Sequence, residues 1–189
     1  GDVRRMLIIG NKEYGLAKSI ASIYPDANFL SRTSGYNLGK RDVRELVAKE
    51  SLDHNVVMLI SALGDFSQVL LAEAIAKEWV KNNHNGYLLA IGSSADTGVK
   101  GSKWIYPVEK KALRNYMRQL SQGVSSDNPP AFKTTYLSPG NLHTPRQDEK
   151  MPDTPKLDTD YVAGLLKWLI EQPHDINISE LCLDRIQKL

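Results

Sequence analysis

Short apolar runs alternate along this chain with longer stretches in which apolar residues recur every third or fourth position. Met6-Leu7-Ile8-Ile9 precedes Leu16, Ala17, Ile20, Ala21 and Ile23 at helical spacing, and the run Val56 to Ile60 precedes Val69, Leu70, Ala74, Ile75 and Trp79. A 3.6-residue period reads as an amphipathic helix, and an unbroken apolar run of this length suits a strand covered on both faces. The pattern predicts strands at 6–9, 27–31, 56–61, 87–92, 132–138 and 176–183, with a short one near 36–38. Helices are predicted near 15–24, 40–50, 66–82, 106–122 and 158–172, and two stretches rich in proline and polar residues, 123–131 and 138–156, read as irregular connections. Such alternation of strand and helix implies an α/β fold with a doubly wound parallel sheet of about six to seven strands. Its ligand crevice lies at the carboxyl ends of the strands.

Length and composition narrow the function class. A chain of 189 residues is expected to form a single domain over 1–189, with enough buried surface for a proper core. Its net charge of +2 leaves no basic stripe of the kind that binds nucleic acid, so a small-molecule partner is expected. Cys182 is the single cysteine and excludes an intramolecular disulfide. His54, His84, His143 and His174 are scattered without ligand spacing, so no metal site is expected. The run Met6 to Ile9 is far shorter than a membrane span or signal-peptide core, and the expectation is a soluble, cytoplasmic protein. The sequence leaves open whether residues 1–5 are an addition ahead of a native start at Met6.

Chemistry enters at the end of the first strand, which runs into Gly10-Asn11-Lys12-Glu13-Tyr14-Gly15-Leu16-Ala17 and then into a helix. Glycines at a strand-to-helix turn let the backbone approach a pyrophosphate, whose charge rests on the free amides of the helix N-terminus. This makes the sheet Rossmann-type, with Gly10, Lys12, Tyr14, Gly15 and Leu16 as candidate cofactor contacts. The second strand ends in Ser31-Arg32-Thr33-Ser34, where an NAD site would carry a carboxylate for the ribose hydroxyls. With Arg32 and the Thr33 hydroxyl there instead, NADP(H) is the favoured cofactor.

Tyr-x-x-x-Lys occurs three times, at Tyr14/Lys18, Tyr36/Lys40 and Tyr106/Lys110. Only the third follows an apolar run ending in serine, Leu88-Leu89-Ala90-Ile91-Gly92-Ser93, and only it opens an amphipathic helix pattern. A phenol titrates near 10 and needs a fixed positive charge to exchange protons near neutrality. Residues i and i+4 share a helix face, so Lys110 can supply that charge to Tyr106 while Ser93 hydrogen-bonds a substrate oxygen.

With these segments in order, the chain resembles the short-chain dehydrogenase/reductase family over nearly its whole length. Gly10 to Ala17 looks like that family's glycine-rich turn, Asp42-Val43 is similar to its acidic-apolar pair at the adenine, and Ser93, Tyr106 and Lys110 fall on its catalytic pattern. Pro139-Gly140-Asn141-Leu142-His143-Thr144 looks like the segment after its sixth strand. There the resemblance implies backbone contacts from Pro139, Gly140 and Leu142, and the Thr144 hydroxyl at the nicotinamide. The resemblance further implies NADPH-dependent carbonyl reduction or alcohol oxidation, and pairing of the helices near 66–82 and 106–122 into a homodimer or homotetramer. A non-catalytic NADP(H)-binding sensor of the same fold stays open as a second reading.

The sequence departs from the family pattern in three places. The phosphate turn has one residue more than usual between Gly10 and Gly15, and its last glycine is Ala17. Ser61-Ala62-Leu63-Gly64 runs almost directly into the next helix where the family carries a longer stretch. Counting back from Ser93 without gaps places Asp65 where the family's fourth catalytic residue, an asparagine, stands.

Overall fold

Four consecutive buried residues make β1 (Met6–Ile9), and the same holds for β3 (Val56–Leu59), while β4 (Tyr87–Ile91) and β5 (Lys133–Pro139) are buried along their whole length. This computed structural model describes residues 5–61, 64–97, 103–122 and 130–187. Short β2 (Asn28–Leu30) and β6 (Glu180–Leu183) close the two edges, and all pairings are parallel in the order β2-β1-β3-β4-β5-β6. The intervening helices are α1 (Gly15–Ile23), α2 (Arg41–Glu50), α3 (Ser67–Lys81), α4 (Tyr106–Ser121), α5 (Pro145–Lys150) and α6 (Thr159–Glu171).

Because strand side chains alternate between faces, the buried strands feed two cores. Leu7, Ile9, Val57, Leu59, Leu88, Ala90 and Tyr136 point to the face covered by α2, α3 and α4. Met6, Ile8, Val56, Met58, Leu89 and Leu137 point to the face covered by α1 and α6. The chain steps in one direction through β3, β4, β5 and β6, yet α3 and α4 lie on one face and α6 on the other. The β5–β6 crossover is therefore opposite in hand to the two before it, against the strong preference for a single hand. Extensive packing of α6 on α1 completes that second layer.

The strand order reverses between β1 and β3, which are neighbours although β2 separates them in sequence. A crevice forms at such a switch point, at the carboxyl ends of the strands. In the common 3-2-1-4-5-6 order a further strand lies outside the second one. Here β2 is itself the edge, and the chain passes from it directly to α2.

Three sequence expectations are corrected. No strand forms at 36–38. Gly35 takes a left-handed φ of 94° after a 3-10 turn at Arg32–Ser34, the Asn37 side chain accepts the Gly39 amide at 3.1 Å, and Leu38 turns into the core. Turn chemistry outweighs the apolar alternation there. The last strand covers 180–183 rather than 176–183, because Asn177 and Ile178 meet β5 through side-chain bonds, Asn177 Oδ1 accepting from the Thr134 amide at 2.8 Å and the Ile178 carbonyl from Thr135 Oγ1 at 2.6 Å. Within 138–156, Thr144 caps α5 by accepting the Gln147 amide, and Pro145 occupies its first turn. Of the other irregular stretch, 123–129 lies outside the described residues.

Trp79 ties one core together: it is fully buried, its indole N–H donates to Ser51 Oγ at 2.8 Å, and Phe132 meets it edge-on at 5.2 Å. Gly86 lacks a side chain because a Cβ would sit 2.8 Å from the indole. Trp79→Ala is expected to cost about 3–5 kcal/mol, measured by urea denaturation. A loss under about 1 kcal/mol, the size of an ordinary substitution, would mean that the indole is not structurally required.

Candidate active site

The carboxyl ends of β1, β3, β4 and β5 open into two adjoining hollows that share Asn11 and Ser61 in their walls. One, of about 420 Å³, is lined by Gly10, Tyr14 and Gly15 on one side and by Ser93, Tyr106, Lys110, Pro139, Gly140 and Thr144 on the other. The second, of about 740 Å³, is lined by Ser31, Arg32, Thr33, Lys40 and Asp65. Residues from six separate segments thus meet along one cleft.

Ser93 follows β4 at a 3-10 turn, and Tyr106 is the first residue of α4. Pro107 in that first turn supplies the fixed backbone angle a helix start favours. Ser93 and Tyr106 face the same hollow, and Lys110 Nζ lies 5.4 Å from the centre of the phenol ring, one turn along α4. Burial pushes the Tyr106 phenol above its ordinary value, the nearby Ser93 hydroxyl pulls it down, and the Glu109 and Asp96 carboxylates push it up. Burial holds the Lys110 ammonium down to about 8 against the upward pull of Glu109 and Asp96.

The partner of Lys110 is a residue the sequence reading passed over. Gln68, in the first turn of α3, is buried, and its amide nitrogen donates to the Leu59 carbonyl of β3 at 3.1 Å and the Ile91 carbonyl of β4 at 3.0 Å. Both amide protons are then used, which turns Oε1 toward Lys110 Nζ to accept its hydrogen bond. Asp65, expected at this place, does not reach Lys110. It is exposed, holds a left-handed φ of 55°, and lines the second hollow. Its carboxylate does not cap α3 either, since the Phe66 amide there donates to Glu109 Oε1 at 3.1 Å. An ungapped count could not see that the β3–α3 connection brings Gln68 inward.

The glycine turn fits a bound phosphate group. Gly15 has a left-handed φ of 58°, a Cβ on Gly10 would press on Ala17 Cβ at 3.1 Å, and no side chain caps the first amides of α1. Across the cleft, the Tyr14 hydroxyl accepts the Arg146 amide at 3.1 Å, so the start of α5 closes over this turn. Gln147 Oε1 lines the cleft region as a buried acceptor without a partner among the described residues. Arg32, Lys40 and the Ser31 and Thr33 hydroxyls could hold a second phosphate in the adjoining hollow. The residues present thus fit an extended dinucleotide spanning the switch point.

No family model and no curated protein matches the chain. Solved structures do. A 4-hydroxyisoleucine dehydrogenase mutant complexed with NADH and succinate is similar at 14% identity, with 97% of this chain and 98% of that one covered and a TM-score of 0.74. An alcohol dehydrogenase from the archaeon Thermococcus sibiricus complexed with 5-hydroxy-NADP gives 16%, 95% of each chain and 0.69. A short chain dehydrogenase/reductase family protein gives 16%, 95% of each chain and 0.71. The chain has the short-chain dehydrogenase/reductase fold.

On that fold, the structure gathers most of the residues singled out from the sequence: Gly10, Tyr14, Gly15, Leu16, Ser93, Tyr106, Lys110, Pro139, Gly140, Leu142 and Thr144 line one hollow, and Arg32 and Thr33 the other. Gly140 has no room for a side chain, since a Cβ would run into the Asp184 carboxylate beyond β6. Lys12 is exposed on the turn and lines neither hollow, while Asp42 and Val43 sit in the first turn of α2 away from both. Gln68 and Gln147 are additions that no spacing rule marked, and Lys40 enters the sequence reading only through the Tyr36/Lys40 spacing.

The Gln68 bond gives a direct test. Gln68→Met removes the acceptor at Lys110 and favours the uncharged amine, so the Lys110 titration, followed by NMR of labelled lysine, should move from about 8 in the parent to lower pH. An unmoved midpoint would show that Gln68 does not hold the ammonium.

Proposed function

We propose that the chain is a member of the short-chain dehydrogenase/reductase family that interconverts a small-molecule carbonyl and its alcohol with NADP(H). The observation that carries this reading is that Ser93, Tyr106 and Lys110, the last one helical turn from the phenol, line the same cleft as the left-handed Gly15 and the uncapped amides of α1. When bound, the cofactor supplies a hydride to the carbonyl carbon. Tyr106 gives its proton to the carbonyl oxygen as the C–O π bond breaks, Ser93 holds that oxygen, and the phenolate regains a proton from solvent. Burial raises the Tyr106 phenol, so it keeps its proton through neutral pH, the state a proton donor needs. Lys110, at about 8, is mainly charged at pH 7 and stabilises the phenolate as it forms.

Arg32 supports the phosphorylated cofactor. It lies with Lys40 and the Ser31 and Thr33 hydroxyls in the second hollow, where the 2′-phosphate would sit. Similar structures carry NADP+ or NADPH in a serine dehydrogenase and a small-chain dehydrogenase.

Tyr106→Phe should lower reduction of a carbonyl panel by about 10²–10⁴-fold, the usual share of a general acid, while NADPH fluorescence titration gives unchanged affinity. Full turnover in this variant would remove Tyr106 as the acid. NADPH binding with no turnover by the parent protein would favour a cofactor-binding sensor instead.

Arg32→Ala should weaken NADPH by about ten- to hundredfold, the value of a charged hydrogen bond, and leave NADH unaffected. Equal losses for both cofactors would mean that Arg32 does not read the 2′-phosphate.

A further inference from the structure

Behind Ser93 lies a buried carboxylate that the proposed chemistry does not use. Asp96 has a fully buried side chain and accepts three bonds: Tyr136 Oη on Oδ2 at 2.5 Å, Ser138 Oγ on Oδ2 at 3.3 Å, and Arg114 Nη1 on Oδ1 at 3.0 Å. The Tyr136 hydroxyl lies against the Gly92–Ser93 peptide: a Cβ on Gly92 would run into it, and the Ser93 backbone pulls the phenol's pKa down. On its other side, the Ser93 carbonyl accepts the Asp96 amide at 3.0 Å. Asp96 therefore reaches the Ser93 turn twice, through the Tyr136 hydroxyl beneath the Gly92–Ser93 peptide and through its own amide on the Ser93 carbonyl. It grips both peptide groups that flank the Ser93 side chain. Gly92 has no side chain because a Cβ would overlap the Tyr136 hydroxyl.

Arg114 brings the helix into the same arrangement. It stands one turn beyond Lys110 and two beyond Tyr106 on α4, a spacing that keeps all three on one face. Its other terminal nitrogen donates to Glu180 Oε2 of β6 at 3.2 Å, and Glu180 also binds Arg118. Asp96 is thus joined both to the turn bearing Ser93 and to the helix bearing Tyr106 and Lys110. Breaking one side of such a pair leaves a buried charge without its partner, so the arrangement is costly to disturb.

We propose that Asp96 is a positioning residue that holds Ser93 in register with Tyr106, with Tyr136 and Arg114 as the two arms through which it acts. The inference rests on the carbonyl-reductase reading for its kinetic consequence, but not for its structural one. Asp96→Asn keeps the shape and one acceptor while removing the charge that grips Arg114. Tyr136→Phe keeps the core packing and removes the hydroxyl that joins Asp96 to the Gly92–Ser93 peptide.

The experiment has two arms on the full chain. In the first, hydrogen exchange at the Ser93 amide is followed by NMR of serine-labelled protein. Tyr136→Phe should speed that exchange by about tenfold or more, the effect of losing a bond worth about 1.4 kcal/mol, with amides of β1 and β3 unchanged. Unchanged exchange would overturn the inference whether or not the protein reduces anything. In the second arm, Asp96→Asn should lower kcat by about tenfold or more, within the range that small misplacement of a reacting group produces, with KM for NADPH unmoved. In a Ser93→Ala background the same substitution should cost little further, because it acts through Ser93. Equal losses in both backgrounds, or a change confined to KM, would also overturn it. Absence of turnover in the parent protein would instead count against the reductase reading, and the exchange arm would then decide the positioning role alone.

Discussion

The Gln68 amide is the constraint on which the sheet, two helices and the site converge. Its nitrogen donates to carbonyls at the ends of β3 and β4, and its oxygen receives the Lys110 ammonium. A buried amide with both protons committed has a fixed orientation, and Lys110 inherits that orientation. Parallel strands end in carbonyls that point into the ligand crevice. A side chain that satisfies them there also fixes how far α3 and α4 stand from the sheet. Leu59 and Ala90 are register partners, so this tie spans neighbouring strand ends and not a flexible loop.

A second constraint is the balance of charge along α4. Tyr106, Lys110, Arg114 and Arg118 follow one another at four-residue intervals. Three cations on one face would repel each other in a partly buried setting. Glu109 accepts the Phe66 amide, Asp96 takes Arg114, and Glu180 takes Arg114 and Arg118. Each carboxylate comes from a different place: the helix itself, the turn after β4 and the edge strand β6. The site's electrostatics therefore depend on correct closure of the sheet out to its last strand. That strand is reached by the crossover of opposite hand, which packs α6 against α1.

Much of the fold was legible because its signals are local. Runs such as Met6 to Ile9 and Val56 to Leu59 can be covered only on both faces, and the helical period of α1, α3, α4 and α6 is plain in the sequence. The glycine turn, Arg32, and the Ser93, Tyr106 and Lys110 spacing were legible for the same reason, each being set by one strand end or one helix turn. The short strand at 36–38 was misread because Gly35 and Asn37 turn the chain before any pairing can begin. Gln68, Asp96 and Tyr136 escaped notice because their roles arise from contacts between segments 23 to 42 positions apart. Asp65 was misplaced by a count that assumed a connection of ordinary length. Asp42 and Val43 were likened to a pair at the adenine, but they fall in the first turn of α2 and line neither hollow.

The account's central claim is that this cleft delivers a hydride from a nicotinamide to a carbonyl carbon. The most direct measurement follows the label from NADPH carrying deuterium at the nicotinamide C4 into a panel of carbonyl compounds by mass spectrometry. The account predicts carbon-bound deuterium in the alcohol product, formed with the parent protein and not with Tyr106→Phe. NADPH recovered unoxidised across the panel, or label transfer that is equally fast in Tyr106→Phe, would contradict it.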